Sequence, residues 1–186
     1  MKKRDIPNCI SIFRIIFVIP VIYLLLVEQY TIALFMFLIA GLSDALDGFL
    51  AKRYNWESPL GSVLDPIADK LLLVSTYFAL CWLGHIPVWL VIAVIARDVI
   101  IVIGAFSFYF LVGRYDMVPS WLSKINTCTQ ILLGLVVVSS LSFTSISVNV
   151  VDFLILVVLL TTILSGADYV LTWGKRAWRA KRKHAS

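Results

Sequence analysis

The chain has 186 residues, of which 61% are hydrophobic and 15% are charged. Because a soluble globular domain normally carries about 25% charged residues, this composition excludes an ordinary water-soluble domain. The formal net charge is +5, but the apolar sequence leaves no soluble module that would bind nucleic acid, so we expect no nucleic-acid partner.

The apolar residues form six runs, and each is long enough for a bilayer-crossing helix, which needs about 20 mostly apolar residues. The predicted spans are 8–27, 31–53, 62–83, 86–112, 122–144 and 149–172. The first run resembles a signal peptide, but Arg14 interrupts its start and no A-x-A cleavage site follows, so we predict a retained span. The short connections predict one all-α integral membrane domain over 1–173 and a basic cytoplasmic tail over 174–186.

The distribution of basic residues predicts the orientation of these spans, because short cytoplasmic loops carry an excess of Lys and Arg. The turns near 28–30, 84–85 and 140–149 contain neither residue type, and all 16 Lys and Arg lie elsewhere. Both termini are therefore predicted to be cytoplasmic. The tail carries six basic residues, which would anchor this topology, attract anionic headgroups, or both. The absence of an Arg- and Ser-rich leader favours a bacterial inner membrane.

Two pairs of aspartates lie on either side of the second connection. Asp44 and Asp47 are three residues apart near the end of span 2, and Asp65 and Asp69 are four apart at the start of span 3. Each pair shares one face of a helix, and the polar hairpin 54–61 folds the pairs together. Four converging carboxylates would repel one another unless cations neutralise them, and Mg²⁺ prefers such oxygen ligands. The alternative is that they cap helices or form ion pairs with nearby Lys and Arg residues.

The pattern that runs from Asp44 to Asp69 reads D-x2-D-G-x2-A-K-x8-G-x3-D-x3-D. It resembles the signature of the CDP-alcohol phosphotransferases, D-x2-D-G-x2-A-R-x8-G-x3-D-x3-D, at seven of eight positions with every spacing kept. The departure is Lys52, which keeps the positive charge of Arg but loses its bidentate fork.

The resemblance implies a six-span bundle, usually a homodimer, with an active-site cavity open to the cytoplasm. It implies that the four aspartates bind two Mg²⁺ or Mn²⁺ ions and that Asp69 is the general base for the acceptor hydroxyl. It implies that the CDP moiety of CDP-diacylglycerol is held by Asp44, Gly48, Lys52 and Gly61. The implied reaction transfers the phosphatidyl group to the acceptor and releases CMP.

Four further stretches resemble the phosphatidylglycerophosphate synthases and mitochondrial-type cardiolipin synthases of this family. They are 6-IPNCISIFR-14, 97-RDV-99, 123-SKINT-127 and 164-LSGADY-169.

Three cations in these stretches are expected to face the cavity and bind the acceptor's phosphate, since a cation that faces lipid is costly. They are Arg14, Arg97 and Lys124. For Arg14 and Lys124 the alternative is that the side chains reach the membrane interface. Asp98 directly follows Arg97 on a helix and is expected to point elsewhere, so it is not predicted to be the partner of Arg97.

Asn126 bears on the identity of the acceptor, because bacterial phosphatidylglycerophosphate synthases typically have a second lysine at this point of a G-K-x-K-T motif. Mitochondrial-type cardiolipin synthases resemble this chain more closely here, with S-K-x-N-T. The loss of a cation suits phosphatidylglycerol, whose phosphodiester carries one charge, better than glycerol 3-phosphate. We therefore predict a cardiolipin synthase, with a phosphatidylglycerophosphate synthase as the alternative. Phosphatidylinositol and phosphatidylserine synthases have lower weight.

Two other classes place paired aspartates in membranes. Intramembrane prenyltransferases carry two Asp-rich motifs, but these lie far apart in sequence rather than on one hairpin. A divalent-cation transporter is the alternative that is not an enzyme, although transporters often carry internal repeats and residues 90–186 contain no second copy of the aspartate pair.

Overall fold

The computed structural model describes the backbone of residues 6–54, 61–112, 120–143 and 146–183, and the side chains of 11–43, 67–104, 120–143 and 146–172. Within these ranges the chain forms six helices and no strand. They are α1 (Ile6–Leu26), α2 (Tyr30–Tyr54), α3 (Gly61–Trp82), α4 (Val88–Val112), α5 (Trp121–Ser142) and α6 (Val148–Lys183). Apart from the end of α6, the helices begin and end within two residues of the predicted spans.

Two helices are long and apolar enough to cross a membrane, as judged by length and composition over the described residues. They are α5 at Trp121–Ser142 and α6 at Val148–Thr172. Shorter apolar stretches lie in α1 at Ser11–Leu26 and in α2 at Tyr30–Ser43. Only 33% and 28% of the apolar windows of α5 and α6 are buried. The core helix of a soluble protein would be mostly buried, so these two helices differ from such a core helix.

The chain divides into two compact units. Unit 1 comprises Met1–Ile86 and Gly134–Val148, and unit 2 comprises Pro87–Leu133 and Asn149–Ser186. Helix α5 therefore contributes its first half to unit 2 and its second half to unit 1.

In unit 1, α1 packs against both α2 and α3. The buried face of α1 repeats every three or four residues, as expected for one face of a helix, and comprises Ser11, Arg14, Val18, Val21 and Leu25. This face is polar near the start of the helix and apolar beyond it. The polar start of α1 is therefore packed within protein, next to α3.

Tight turns close the C-terminal ends of α1 and α3. Glu28 and Gly84 adopt left-handed backbone conformations, with φ of 60° and 81°, and the glycine makes this conformation easy at the second turn. The rings of Tyr30 and His85 meet edge to face, with their centroids 6.1 Å apart. Both turns therefore lie at the same end of unit 1, as the absence of Lys and Arg from both of them predicted.

In unit 2, α4 and α6 approach closely at Gly104. A Cβ atom at Gly104 would lie 2.7 Å from Cε1 of Tyr169, closer than real side chains come. A larger residue at this point would require the tyrosine ring or a helix to move. The tyrosine ring thus packs directly against the α4 backbone at Gly104.

Candidate active site

The two aspartate pairs lie on helices, as predicted. Asp44 and Asp47 belong to the C-terminal part of α2, and Asp65 and Asp69 belong to the first turns of α3. Of these four side chains, the structure describes only that of Asp69. The predicted CDP-binding residues Gly48, Lys52 and Gly61 also lie outside the described side chains, as does Asp44.

The carboxylate of Asp69 forms an ion pair with a buried arginine of α1. Arg14 Nη1 donates to Asp69 Oδ1. The arginine side chain is 1% exposed and the aspartate side chain is 46% exposed. The guanidinium thus approaches the carboxylate from within the protein, while about half of the aspartate side chain is exposed. Arg14 was predicted to bind the acceptor's phosphate, and its described partner is the predicted base.

The donor chemistry of this region fits a divalent cation. Carboxylate oxygens are the ligands that Mg²⁺ and Mn²⁺ prefer, and the half-exposed carboxylate of Asp69 is accessible from outside. Among the described side chains there is no group of three or more His, Cys, Asp or Glu residues. The side chains of the other three predicted ligands, Asp44, Asp47 and Asp65, lie outside the described ranges.

Arg97 lies at the centre of a buried polar cluster in unit 2 and is only 5% exposed. Its Nη2 donates to Ser123 Oγ of α5 at 2.6 Å and to Ser165 Oγ of α6. Its Nη1 donates to Asp98 Oδ1 at 2.8 Å. The expectation that Asp98 points away from Arg97 is therefore wrong, because the long arginine side chain folds back to the carboxylate of the next residue. The Nε atom of Arg97 is buried without a hydrogen-bond partner among the described residues.

Asn126 forms a second buried cluster between α5 and α6. Its side chain is fully buried. Its Oδ1 accepts hydrogen bonds from Thr161 Oγ1 at 3.1 Å and from Thr162 Oγ1 at 2.9 Å. Thr129 Oγ1 lies 3.0 Å from Thr161 Oγ1. Within the described part of the chain, the Nδ2 atom of Asn126 is buried and has no partner.

The two clusters occupy successive turns of the same helix pair. Ser123 precedes Asn126 by three residues on α5, and Ser165 follows Thr162 by three residues on α6. Three residues of a helix rise by about 4.5 Å, so the clusters lie roughly one turn apart. In unit 2, the partners of Arg97 and of Asn126 thus lie about one turn apart along α5 and α6.

Lys124 does not join these clusters. Its side chain is exposed, and its ammonium nitrogen lies 5.1 Å from the ring centroid of Trp121. A cation over the face of an exposed tryptophan is a favourable pair at a membrane–water interface. This geometry matches the alternative in which Lys124 reaches the interface.

Sequence reasoning treated Thr161 and Thr162 only as part of an apolar span. A usable signal was present, because two adjacent hydroxyl residues in 153-FLILVVLLTTIL-164 are unusual next to so many aliphatic side chains. Polar groups within a membrane span usually find a partner on a neighbouring helix. Their partner Asn126, however, lies 35 and 36 residues away in sequence.

Comparison with known proteins gives a family model that matches nearly the whole chain. The model described as CDP-alcohol phosphatidyltransferase matches residues 4–174. A cardiolipin synthase (CMP-forming) from Rattus norvegicus is 37% identical over 144 residues, which are 69% of this chain and 48% of that protein. The corresponding protein from Homo sapiens gives the same identity and coverage.

A second kind of relative matches over a greater length at lower identity. The CDP-diacylglycerol–glycerol-3-phosphate 3-phosphatidyltransferase from Aquifex aeolicus is 31% identical over 176 residues, or 90% of this chain and 94% of that protein. The chain thus spans about half the length of the two cardiolipin synthases and almost all of the Aquifex protein.

Proposed function

We propose that this chain, which belongs to the CDP-alcohol phosphatidyltransferase family, transfers a phosphatidyl group from CDP-diacylglycerol to an acceptor hydroxyl and releases CMP. Phosphatidylglycerol is the acceptor that we favour, which makes the product cardiolipin. The observation that carries this choice is the buried, neutral amide of Asn126 one turn from Arg97. Relatives named cardiolipin synthase support the same choice.

The charge of the two unit 2 clusters supports a singly charged acceptor. Arg97 already contacts the carboxylate of Asp98, and Asn126 adds hydrogen-bond donors without adding charge. A phosphodiester carries one negative charge, whereas the phosphomonoester of glycerol 3-phosphate carries nearly two at neutral pH. Glycerol 3-phosphate remains the second candidate, because the Aquifex relative that matches at nearly full length carries that substrate in its name.

We propose that Asp44, Asp47, Asp65 and Asp69 hold two divalent cations, Mg²⁺ or Mn²⁺. When bound, the ions supply neutralisation of the diphosphate and stabilise the charge on the leaving CMP. Asp44, Gly48, Lys52 and Gly61 would hold the CDP moiety. These assignments follow the signature pattern, since the side chains of most of these residues lie outside the described ranges.

The protein's own proton chemistry centres on Asp69. Its carboxylate takes the proton of the acceptor hydroxyl, and the acceptor oxygen then forms a bond to the phosphorus of the phosphatidyl group as the bond to CMP breaks. The buried guanidinium of Arg14 supports this role because it holds the carboxylate in place from the inner side. We propose, from the family resemblance, that Arg14, Arg97, Lys124 and Asn126 bind the acceptor's phosphate.

We propose that all six helices span the membrane as an integral bundle with a cavity open to the cytoplasm. Both termini would be cytoplasmic, in a bacterial inner membrane, with 1–173 as the catalytic domain and 174–186 as a basic tail. A homodimer is proposed by analogy with the family. The common position of the two uncharged turns at one end of unit 1 supports this orientation.

The test is product identification with the full chain in lipid nanodiscs or detergent. CDP-diacylglycerol and Mg²⁺ or Mn²⁺ are supplied with either phosphatidylglycerol or glycerol 3-phosphate, and CMP and lipid products are identified by mass spectrometry. We expect cardiolipin from the first acceptor and no CMP release after EDTA treatment. Phosphatidylglycerophosphate from the second acceptor alone would reverse the choice of acceptor. No metal-dependent CMP release with these acceptors, inositol or serine would contradict the enzyme and favour a cation transporter.

A further inference from the structure

We infer that Thr161 and Thr162 are positioning residues that orient the Asn126 amide so that its NH₂ group donates to a phosphate oxygen of the acceptor. The inference rests on the proposed function, because it assigns a role within acceptor binding. It adds to that function two hydroxyl groups of α6 and a defined direction for the amide.

The direction of the amide follows from its hydrogen bonds. Oδ1 of Asn126 accepts from Thr161 and Thr162 at 3.1 Å and 2.9 Å. A hydroxyl has one proton to donate, and Thr161 also lies within reach of two backbone carbonyls of its own helix, so Thr162 is the hydroxyl that fixes the direction of Oδ1. The NH₂ group then has to find its acceptors elsewhere.

Within the described residues, no acceptor meets that NH₂ group. Nδ2 of Asn126 is buried and without a partner there, although the side chain is fully enclosed. A buried amide donor is costly unless something accepts its hydrogen bond. A ligand oxygen would satisfy it, and an anionic oxygen would do so best.

Among the described residues, the hydroxyl of Thr162 contacts Asn126, whereas that of Thr161 has several neighbours. A threonine within a helix ordinarily donates back to a carbonyl of the preceding turn, and Thr161 Oγ1 lies within reach of the carbonyls of Val157 and Val158. The described hydrogen bond of Thr162 goes instead to Asn126. Thr162 is 3% exposed, and its hydroxyl donates across the helix pair to the Asn126 amide.

The neighbouring cluster indicates what kind of ligand would approach. Arg97 is held by Ser123 and Ser165 one turn along the same two helices. Its Nε is also buried without a partner in the described part of the chain. The two clusters lie on successive turns, which corresponds to about 4.5 Å of helix rise. A phosphate has several oxygens that accept hydrogen bonds, so a guanidinium and an amide one turn apart suit the same anion. Ser123 and Ser165 hold Arg97, and the two threonines of α6 contact Asn126.

The test uses Thr162→Val, which keeps the shape of the side chain and removes the hydroxyl. The Michaelis constants for phosphatidylglycerol and for CDP-diacylglycerol are measured separately for the full chain in nanodiscs. We expect the constant for phosphatidylglycerol to rise roughly three- to tenfold, as for one lost hydrogen bond. The constant for CDP-diacylglycerol should stay within about twofold, since only acceptor binding is affected. Thr162→Ser keeps the hydroxyl and should restore the wild-type value.

Thr76→Val is the matched control. Thr76 is 1% exposed, and its described hydrogen bond goes only to the carbonyl of Leu72 in its own helix. We expect this variant to have wild-type constants for both substrates. Asn126→Asp is the second variant, because it replaces the two amide donors with an oxygen that only accepts. It should weaken phosphatidylglycerol binding more than Thr162→Val does.

The outcomes separate this inference from the proposed function. Wild-type protein that releases no CMP with any acceptor contradicts the function itself. If the wild-type protein prefers glycerol 3-phosphate, the same constants are measured for that acceptor. Equal changes for both substrates in Thr162→Val, no change at all, or wild-type acceptor binding by Asn126→Asp would overturn the inference while the function stands.

Discussion

Replacement of Gly104 by alanine tests how closely α4 and α6 must approach in unit 2. The added Cβ would lie 2.7 Å from Cε1 of Tyr169, 3.2 Å from its hydroxyl oxygen and 3.4 Å from Cζ. Carbon atoms in contact are normally about 3.5–4.0 Å apart. The new atom therefore overlaps the ring by about 1 Å at its nearest point, and either the ring or a helix must move.

Two opposing contributions, overpacking and helix propensity, determine how much Gly104→Ala changes the free energy of unfolding. Overpacking of this kind costs about 1–3 kcal/mol of the free energy of unfolding. The change from glycine to alanine within a helix returns about 0.5–1 kcal/mol. We expect a net loss of about 0.5–2 kcal/mol for Gly104→Ala.

Gly41 provides the matched control, because a Cβ added there meets nothing within 4 Å. Gly41→Ala should therefore show only the helix term and become more stable by about 0.5–1 kcal/mol. Unfolding of both variants is followed in mild detergent by circular dichroism. Replacement of Tyr169 by leucine opens the space beside Gly104. In that background, Gly104→Ala should lower the free energy of unfolding much less than it does in the wild type.

The same substitution should also weaken acceptor binding. Gly104 lies seven residues, or two turns, after Arg97 on α4, and Tyr169 lies four residues after Ser165 on α6. A wider separation of these helices lengthens the hydrogen bond from Arg97 to Ser165. If Gly104→Ala is as stable as Gly41→Ala, the tyrosine ring does not limit the space at Gly104. The same conclusion follows if Gly104→Ala lowers the free energy of unfolding equally with and without Tyr169.

Three further substitutions test the chemistry of the candidate site. Asp69→Asn should lower CMP release at least about a hundredfold because it removes the base. Asp152→Asn, at an exposed position of α6, is the control and should retain activity. Comparable rates of CMP release for the two variants would exclude Asp69 as the base. Arg14→Gln should lower CMP release by about tenfold or more, and Arg14→Lys by less, because the guanidinium pairs with the Asp69 carboxylate; equal rates for both variants and the wild type would contradict the role of that ion pair. Asn126→Lys should raise the rate with glycerol 3-phosphate relative to the rate with phosphatidylglycerol by about tenfold, as expected for a new charge-assisted hydrogen bond. If this ratio of rates does not change, Asn126 does not determine the choice of acceptor.

The positions of the helices could be predicted from the sequence because hydrophobic length decides them. Asp44 and Asp47 share α2 because both lie within the predicted span 31–53, and their spacing of three residues is equally local information. The family could also be predicted, since the signature depends on short spacings that one sequence displays directly.

The partners of individual polar side chains could not be predicted in the same way. The pairing of Arg14 with Asp69 joins residues 55 apart, and only the packing of α1 against α3 brings them together. Asp98 was not expected to be the partner of Arg97, because adjacent residues point in different directions on a helix. That rule describes Cβ vectors, and the flexible arginine side chain is long enough to return to its neighbour.

The length of α6 has a consequence for the basic end of the chain. It comprises 36 residues, which at about 1.5 Å each gives a rod about 54 Å long. The hydrocarbon core of a bilayer is about 30 Å thick, and about 40–45 Å with its headgroups. If α6 crosses the membrane upright, its last turns must emerge into water, and if the whole helix stays within the bilayer, it must tilt strongly. The helix is continuous through Thr161 and Thr162 to Lys183. The tilt of α6 therefore also determines the depth in the membrane at which those two hydroxyls lie.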